Sequence, residues 1–343
     1  MLDDLKMIHE RDAQDALGTA EKQWQQLQHE FVVNLSQAPE AVHEVVFAGM
    51  GGSALGALLA LSWPGFAKPF EICRNYDIPS YVDSDTLFFA SSYSGNTEET
   101  LSALEQAIEK QCIIVVITSG GKLAEIARER GYPLLLVPTG LQPRHAALYG
   151  LKALLSVTDA FGLTHGKAAE LAAEAEFLKH EVAEWLPTRP TKHNWAKQIA
   201  QEIIGKSAVI YAGPKLAPTA YKWKISLNEN AKHVAWTNQL PEFDHNEFIG
   251  WTKQPVDKPY AVIDLRSSFD HPRIAKRFVL AERLLSGMRP SPVVVNARGD
   301  TALQQLLSSI ALGDFVSLYV ALLNGVNPTP VDLIESFKQA LDE

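Results

Sequence analysis

The sequence predicts an α/β protein: two halves with mostly parallel sheets, plus helical segments at the amino and carboxyl ends. Three observations carry this. Short apolar runs alternate with helical stretches throughout the chain, which is the pattern of βαβ units. Runs such as CIIVVIT at 112–118 are apolar without alternation, as in strands buried on both faces of a sheet. A length of 343 residues allows about two domains, each large enough to bury its own core.

Taken in order, residues 3–35 have helical spacing with charged and Gln-rich faces and predict a leading helix. Strands follow at 43–48, 70–74, 86–91, 112–118 and 133–137, with helices at 53–62, 97–110 and 121–130. The Ala- and Glu-rich stretch 166–185 predicts a further helix. Pro187 and Pro190 interrupt it and mark a domain boundary, with residues 1–186 before it and 187–343 after it. A second alternating pattern then supplies strands at 207–212, 259–264 and 292–296. Both halves open on an apolar strand ending in Ala-Gly, FAGMGGSA at 47 and YAGPKLAP at 211, as a duplicated unit would. Near the carboxyl end Thr329, Pro330 and Asp332 have the spacing of an N-cap, a first helical residue and a capping-box partner.

Composition narrows the function classes. With 31 Lys+Arg against 40 Asp+Glu and no basic run, the chain lacks the footprint of a nucleic-acid or anionic-membrane binder. Residues 45–67 are uncharged, but their glycines and Pro64 suit a strand, a turn and a buried helix better than a membrane span. Two cysteines, Cys73 and Cys112, cannot form a disulfide framework, and the first residues lack the apolar core of a signal peptide; a reducing cytoplasm is expected.

The chemistry-bearing motifs lie where strands meet helices. Gly49-Met50-Gly51-Gly52-Ser53-Ala54 satisfies G-x-G-x-x-A, yet Glu71 opens the next strand instead of closing it, where a ribose partner would stand. A tight turn and a ligand loop both fit. Ser92-Tyr93-Ser94-Gly95-Asn96-Thr97 also joins a strand to a helix, and its hydroxyls converge with backbone N–H groups on a natural anion site. Without the lysine of a nucleotide-binding loop, it suits a phosphate monoester; simple helix capping is the bland alternative. Arg144 stands in a further strand-to-helix loop, at the ligand edge of such a sheet. In the second half, Glu229 and His245 sit in polar clusters that could move protons. Asp244, His245 and Glu247, or Glu229 with His233 at i, i+4, could instead ligate a cation, although no established metal motif is present. On the last helix, Val331, Leu333, Ile334, Phe337 and Leu341 form an apolar stripe, and Lys338 falls at its edge, either snorkelling or pointing at a polar pocket.

Together these segments resemble the bifunctional phosphoglucose/phosphomannose isomerase family, whose halves are sugar isomerase (SIS) domains. GMGGS at 49–53, SYSGNTEET at 92–100, PR at 143–144, NENAKH at 228–233, LPEFDHNE at 240–247 and the helix carrying Lys338 occur in the family's order over nearly the whole chain. The resemblance implies two SIS-type three-layer αβα domains. It also implies an aldose–ketose isomerase interconverting glucose 6-phosphate and mannose 6-phosphate with fructose 6-phosphate, by ring opening and a cis-enediol. Gly52, Ser53, Ser92, Ser94 and Thr97 would bind the sugar phosphate. Glu229 would shuttle the proton, Arg144 would face the developing enediolate, and His245 with Lys338 would open the ring. The family implies a homodimer with the histidine supplied by the neighbouring subunit, and no metal or other cofactor. The residue types suit such a reaction, which needs an acid/base for ring opening, one carboxylate reaching two carbons and a fixed positive charge. Competing readings are a non-catalytic sugar-phosphate sensor built on the same Ser/Thr loops, a nicotinamide-dependent oxidoreductase resting on G-x-G-x-x-A, and an SIS-type transferase.

Overall fold

The computed structural model describes residues 1–33, 42–253 and 259–341; residues 34 and 35 of the expected leading helix lie outside them. The chain forms two compact units, Gln23–Glu176 and Met1–Lys22 with Phe177–Glu343.

The leading segment is broken where one helix was expected, into α1 (Leu5–Arg11) and α2 (Ala16–Glu21), followed by a 3-10 turn at Gln23–Gln28. Asp12 breaks it: its buried carboxylate takes the N–H groups of Ala16 and Leu17, and Asp15 adopts a left-handed backbone to cap α2. Local side-chain acceptors thus outcompete helix continuation.

The unit Gln23–Glu176 is a five-stranded parallel sheet. Its strands are β1 (Glu44–Ala48), β2 (Phe70–Cys73), β3 (Thr86–Ser92), β4 (Ile113–Thr118) and β5 (Leu134–Leu136), in spatial order β2-β1-β3-β4-β5. Helices α3 (Leu55–Ser62), α4 (Glu98–Glu109), α5 (Gly121–Arg130), α6 (Ala147–Ala160) and α7 (Lys167–Ala173) complete it. β3 is buried along its whole length, and Val46, Phe88 and Val116 from three strands meet Leu104 and Leu123 in one core. Strand order reverses between β1 and β3, and open α/β sheets bind ligands at the carboxyl edge of such a switch.

The other unit begins with α8 (Ala175–Ala183), which straddles the boundary, and α9 (Trp195–Ile203). It continues through β6 (Ser207–Ala212), α10 (Ala217–Ala231), β7 (Ala235–Gln239), a 3-10 turn at Glu242–His245 and α11 (Glu247–Gly250). Then come β8 (Tyr260–Arg266), α12 (Pro272–Leu284), β9 (Val293–Asn296), α13 (Ala302–Asn324) and α14 (Asp332–Leu341). The sheet is parallel with order β7-β6-β8-β9, the same scheme one strand shorter. Strand β7 was not expected. It pairs with β6 at the sheet edge, and its sequence AWTNQ keeps Trp236 exposed, so no apolar run announces it. α13 is buried all round, which explains a helix with no polar face; Asp314 inside it pairs with the buried Lys222 of α10.

Two further expectations are corrected. Residues 1–22 and 177–186 belong with the second unit, not the first. Asp3 accepts from Lys197 Nζ at 3.0 Å and from Thr191 N at 2.8 Å, the Tyr319 hydroxyl donates to the Trp185 carbonyl, and the Trp185 ring packs on Phe315. These contacts join residues far apart in sequence, which a proline-based boundary does not sense. α14 starts at Asp332, with Ile334 and Glu335 N–H reaching the Val331 carbonyl; Thr329 is not its cap and instead donates its own N–H to Asn327 Oδ1 at 3.1 Å.

Candidate active site

In the unit Gln23–Glu176 the loops leaving β1, β3, β4 and β5 are stitched together at the carboxyl edge. Ser53 Oγ accepts the Tyr93 N–H at 2.9 Å, tying the first glycine loop to the serine loop. The Tyr93 hydroxyl donates to the Pro138 carbonyl at 2.8 Å and accepts from Leu141 N at 2.9 Å, reaching the segment after β5. The Tyr93 carbonyl accepts from Ser119 Oγ at 2.6 Å. Burial pushes the Tyr93 phenol above its ordinary value, so it stays a neutral donor. Sequence reading missed this role, which depends on partners from three other loops.

The hydroxyls of Ser92, Ser94 and Thr97 cluster. Ser92 Oγ and Thr97 Oγ1 lie 2.7 Å apart, Ser92 Oγ and Ser94 Oγ 3.4 Å, and the Gly95 N–H donates to Ser92 Oγ at 3.1 Å. Thr97 is the residue before α4, yet its side chain makes no capping bond to that helix and turns to Ser92. Glycine is required twice here. A Cβ on Gly52 would lie 2.6 Å from the Arg144 backbone N, so Gly52 lets the two loops touch; a Cβ on Gly95, whose φ is +73°, would meet the Gly120 carbonyl at 1.8 Å. Arg144 is fully buried on a 3-10 turn, and its Nη1 donates to Gln142 Oε1 at 3.3 Å. Gly52, Ser53, Tyr93, Thr118 and Pro143 help line a cavity of about 20 Å³ beneath these loops. Glu71 stands near the start of β2, where it accepts from the Tyr81 hydroxyl.

The matching switch point of the other unit, between β6 and β8, is built differently. Its loop Ser267-Ser268-Phe269-Asp270 repeats the Ser-Ser-aromatic order of Ser91-Ser92-Tyr93, but the Asp270 carboxylate turns inward. It accepts the Lys215 N–H at 3.0 Å and fills the space beside Gly213. Burial pushes this carboxyl up. In this loop a carboxyl of the chain itself follows the Ser-Ser-aromatic run where the first unit has the Ser94 hydroxyl.

Glu229 is half-buried near the end of α10. Lys222, Ser226 and Asn230, four residues apart, face α13: Lys222 and Ser226 bond Asp314, and Asn230 donates to Ser317 Oγ at 2.9 Å. Glu229, about 100° round the helix from Asn230, is turned off that face. With Asn228 and Lys232 it lines a groove of about 690 Å³ whose far wall is Val326, Asn327 and Pro330–Ile334. His245 is elsewhere. Asn228 Oδ1 accepts from Ala235 N at 3.0 Å, so Glu229 lies beside the start of β7, while His245 is exposed beyond its end. The length of β7, roughly 15 Å, separates them.

The ligand sets considered for a cation do not form. α10 ends at Ala231, Lys232 takes a left-handed backbone, and His233 Nε2 bonds the Lys206 carbonyl, so Glu229 and His233 are not one helical turn apart. Asp244 pairs with Arg277 at 2.8 Å; Glu247 accepts from the Tyr211 hydroxyl and from Asn238 Nδ2. Among the described residues no group of three or more His, Cys, Asp or Glu is placed to hold a metal ion. Of the two readings of Lys338, one chain by itself shows the exposed one. It is exposed and donates to Glu335 Oε1 at 2.8 Å, and Leu333 and Phe337 of the apolar stripe are exposed as well. Periodicity correctly finds the apolar side of α14 but not what covers it.

Two parallel switch-point sheets, one with a hydroxyl-lined loop at its carboxyl edge, define an SIS-like α/β protein. The comparisons agree. Residues 192–341 match the model of the bacterial phospho-glucose isomerase C-terminal SIS domain. The chain is 35% identical over 300 residues to the bifunctional phosphoglucose/phosphomannose isomerase of Aquifex aeolicus, covering 87% of this chain and 90% of that one. It is 33% identical over 237 residues to the D-glucosamine-6-phosphate 4-epimerase of Sulfolobus acidocaldarius, covering 68% and 72%. Among solved structures, a glucose-6-phosphate isomerase like protein from Thermus thermophilus superposes with a TM-score of 0.65 at 17% identity, covering 98% of both chains, and shares the fold. The protein belongs to the bifunctional phosphoglucose/phosphomannose isomerase family.

Proposed function

We infer that the protein is an aldose–ketose isomerase interconverting glucose 6-phosphate and mannose 6-phosphate with fructose 6-phosphate. The observation that carries this is Glu229: a half-buried carboxylate held at a helix end beside a groove within the volume range of small-molecule sites. A sugar-phosphate sensor needs the hydroxyl loops but no such base. In this reading Ser53, Ser92, Ser94, Thr97 and the Gly52 backbone bind the substrate's phosphate and hydroxyls. Glu229 takes the proton from one carbon and returns it to its neighbour. Arg144 stabilises the enediolate between these steps, and His245 with Lys338 opens the ring. Binding through phosphate holds the reacting carbons in register for one carboxylate to serve both.

The reading includes a homodimer. One chain's β7 separates Glu229 from His245, and the exposed apolar side of α14 suits a partner, so a site using both residues draws them from two copies. A second reading is an epimerase acting on a hexose 6-phosphate, favoured by the similarity to the Sulfolobus enzyme.

The test is to supply fructose 6-phosphate to EDTA-treated protein and resolve the products. Glucose 6-phosphate together with mannose 6-phosphate supports the reading. Glucose 6-phosphate alone removes the mannose activity, an epimeric ketose supports the second reading, and binding without turnover supports the sensor. Glu229→Gln is expected to lower kcat by roughly 10²–10⁴-fold while leaving substrate affinity in place; near-wild-type turnover would remove Glu229 from its role.

A further inference from the structure

We propose that Lys232 is a positioning residue that straps the helix carrying Glu229 to the segment leading into α14. This rests on the isomerase reading of Glu229. Lys232 follows the last residue of α10 with φ +50°, a backbone conformation that a lysine adopts only at a cost. In that conformation its side chain folds back over the helix end. Its three N–H groups are shared among four carbonyls: those of Glu229 at 3.0 Å and Asn230 at 3.3 Å and, across the groove, those of Asn327 at 2.9 Å and Pro328 at 3.2 Å. Two of these acceptors are carbonyls left over at the helix end, where the backbone dipole also favours a cation. The other two lie on the opposite wall. One ammonium therefore sets the distance between the end of the helix that carries Glu229 and the chain that forms the far side of the groove.

The strap matters because α14 contributes no buried side chain of its own. Within one chain, its position beside Glu229 depends on the tether from 326 to 331. Lys232 holds that tether at residues 327 and 328; Asn327 then bonds Thr329 N and donates from Nδ2 to Gln14 Oε1 at 2.6 Å. Val331, Leu333 and Ile334 line the groove from the tether side, and Lys338 rides on the same helix. Asn230, which reaches Ser317, and Asn324, whose Nδ2 donates to the Ala231 carbonyl at 3.0 Å, hold the end of α10 on α13 without crossing the groove. Removing Lys232 therefore leaves these packing bonds in place while taking away its own bonds to residues 327 and 328.

The experiment compares wild type, Lys232→Met and Lys232→Arg in two assays. Hydrogen exchange does not depend on turnover: in the Met variant the amides of Ile334 and Glu335 should exchange at least about tenfold faster, with the α10 core unchanged. With fructose 6-phosphate, kcat should fall about 10–100-fold, since about 1 Å of misplacement costs that much, while KM moves less than about threefold. The deuterium isotope effect on [2-²H]glucose 6-phosphate should rise as proton transfer becomes limiting, and Arg should recover part of both losses. Unchanged exchange, or a kcat loss that Arg does not relieve, overturns the strap. If wild type itself turns over no sugar phosphate, the isomerase reading fails, and exchange alone then decides whether the strap exists.

Discussion

Thr97→Val separates a ligand-binding hydroxyl from a helix cap, and the two roles predict opposite results. A threonine that caps α4 should cost about 0.5–2 kcal/mol of stability when its oxygen is lost. For a unit of this size that is several degrees in Tm, at about 2–4 °C per kcal/mol. But Thr97 makes no capping bond, and its Oγ1 lies 2.7 Å from Ser92 Oγ, beside the N–H groups that open α4. Valine keeps the shape and removes only the hydroxyl. If that hydroxyl donates to a phosphate, the loss is that of a hydrogen bond to a charged group, about 1.5–3 kcal/mol. It should appear as a rise of about 10- to 150-fold in KM for fructose 6-phosphate. Tm should stay within about 2 °C, and the rise in Tm that inorganic phosphate produces in wild type should shrink. Steady-state kinetics and thermal unfolding with and without phosphate read all three. A fall of several degrees in Tm with KM nearly unchanged would show that Thr97 serves the helix, and would remove the hydroxyl cluster as the phosphate site.

Three other outcomes are expected. Mixing inactive Glu229→Gln and His245→Ala proteins, with subunit exchange, should restore up to about one quarter of wild-type activity, because each mixed dimer regains one intact site; no recovery despite demonstrated exchange means that the two residues do not come from different copies. Lys197→Met leaves the Pro187 and Arg189 carbonyls and the half-exposed Asp3 carboxylate without their ammonium, so it should cost about 2–3 kcal/mol and lower Tm by about 5–10 °C; an unchanged Tm would show that this joint does not anchor residues 1–22. Burial pushes the Asp264 carboxyl above its ordinary 3.8, partly offset by Arg289 and Arg266. Its contribution to stability is therefore full below that value and is lost as pH rises through the folded pKa, so the stability of wild type relative to Asp264→Asn should decline in urea unfolding from about pH 3.5 upward. A difference independent of pH would contradict the direction of this shift.

The parts legible in the sequence were those whose cause is local. Runs such as VVFA, LFFA and IIVVI suit strands buried on both faces, and the glycine- and serine-rich segments directly after two of them suit turns at one edge of a sheet, as the structure has them. Arg144 was readable as a loop residue, but its complete burial depends on Gly52 having no Cβ where the two loops touch. The break at Asp12 is local too, but its two acceptor bonds leave no trace in the periodicity.

What remained needed partners distant in the chain. β7 is a strand because β6 offers it an edge, not because AWTNQ favours one. Residues 1–22 join Phe177–Glu343 in one unit, with Asp3 bonded to Lys197, and the switch point between β6 and β8 is closed by Asp270 reaching Lys215. The sequence by itself determined two parallel sheets, the hydroxyl loop and the carboxylate and histidine suited to proton transfer. Only the tertiary structure decided which hydroxyls cluster, that Glu229 and His245 stand at opposite ends of one strand, and that α14 leaves its apolar side uncovered. Propensity and periodicity act over a few residues, whereas a site is made by distances between residues that the chain brings together only on folding.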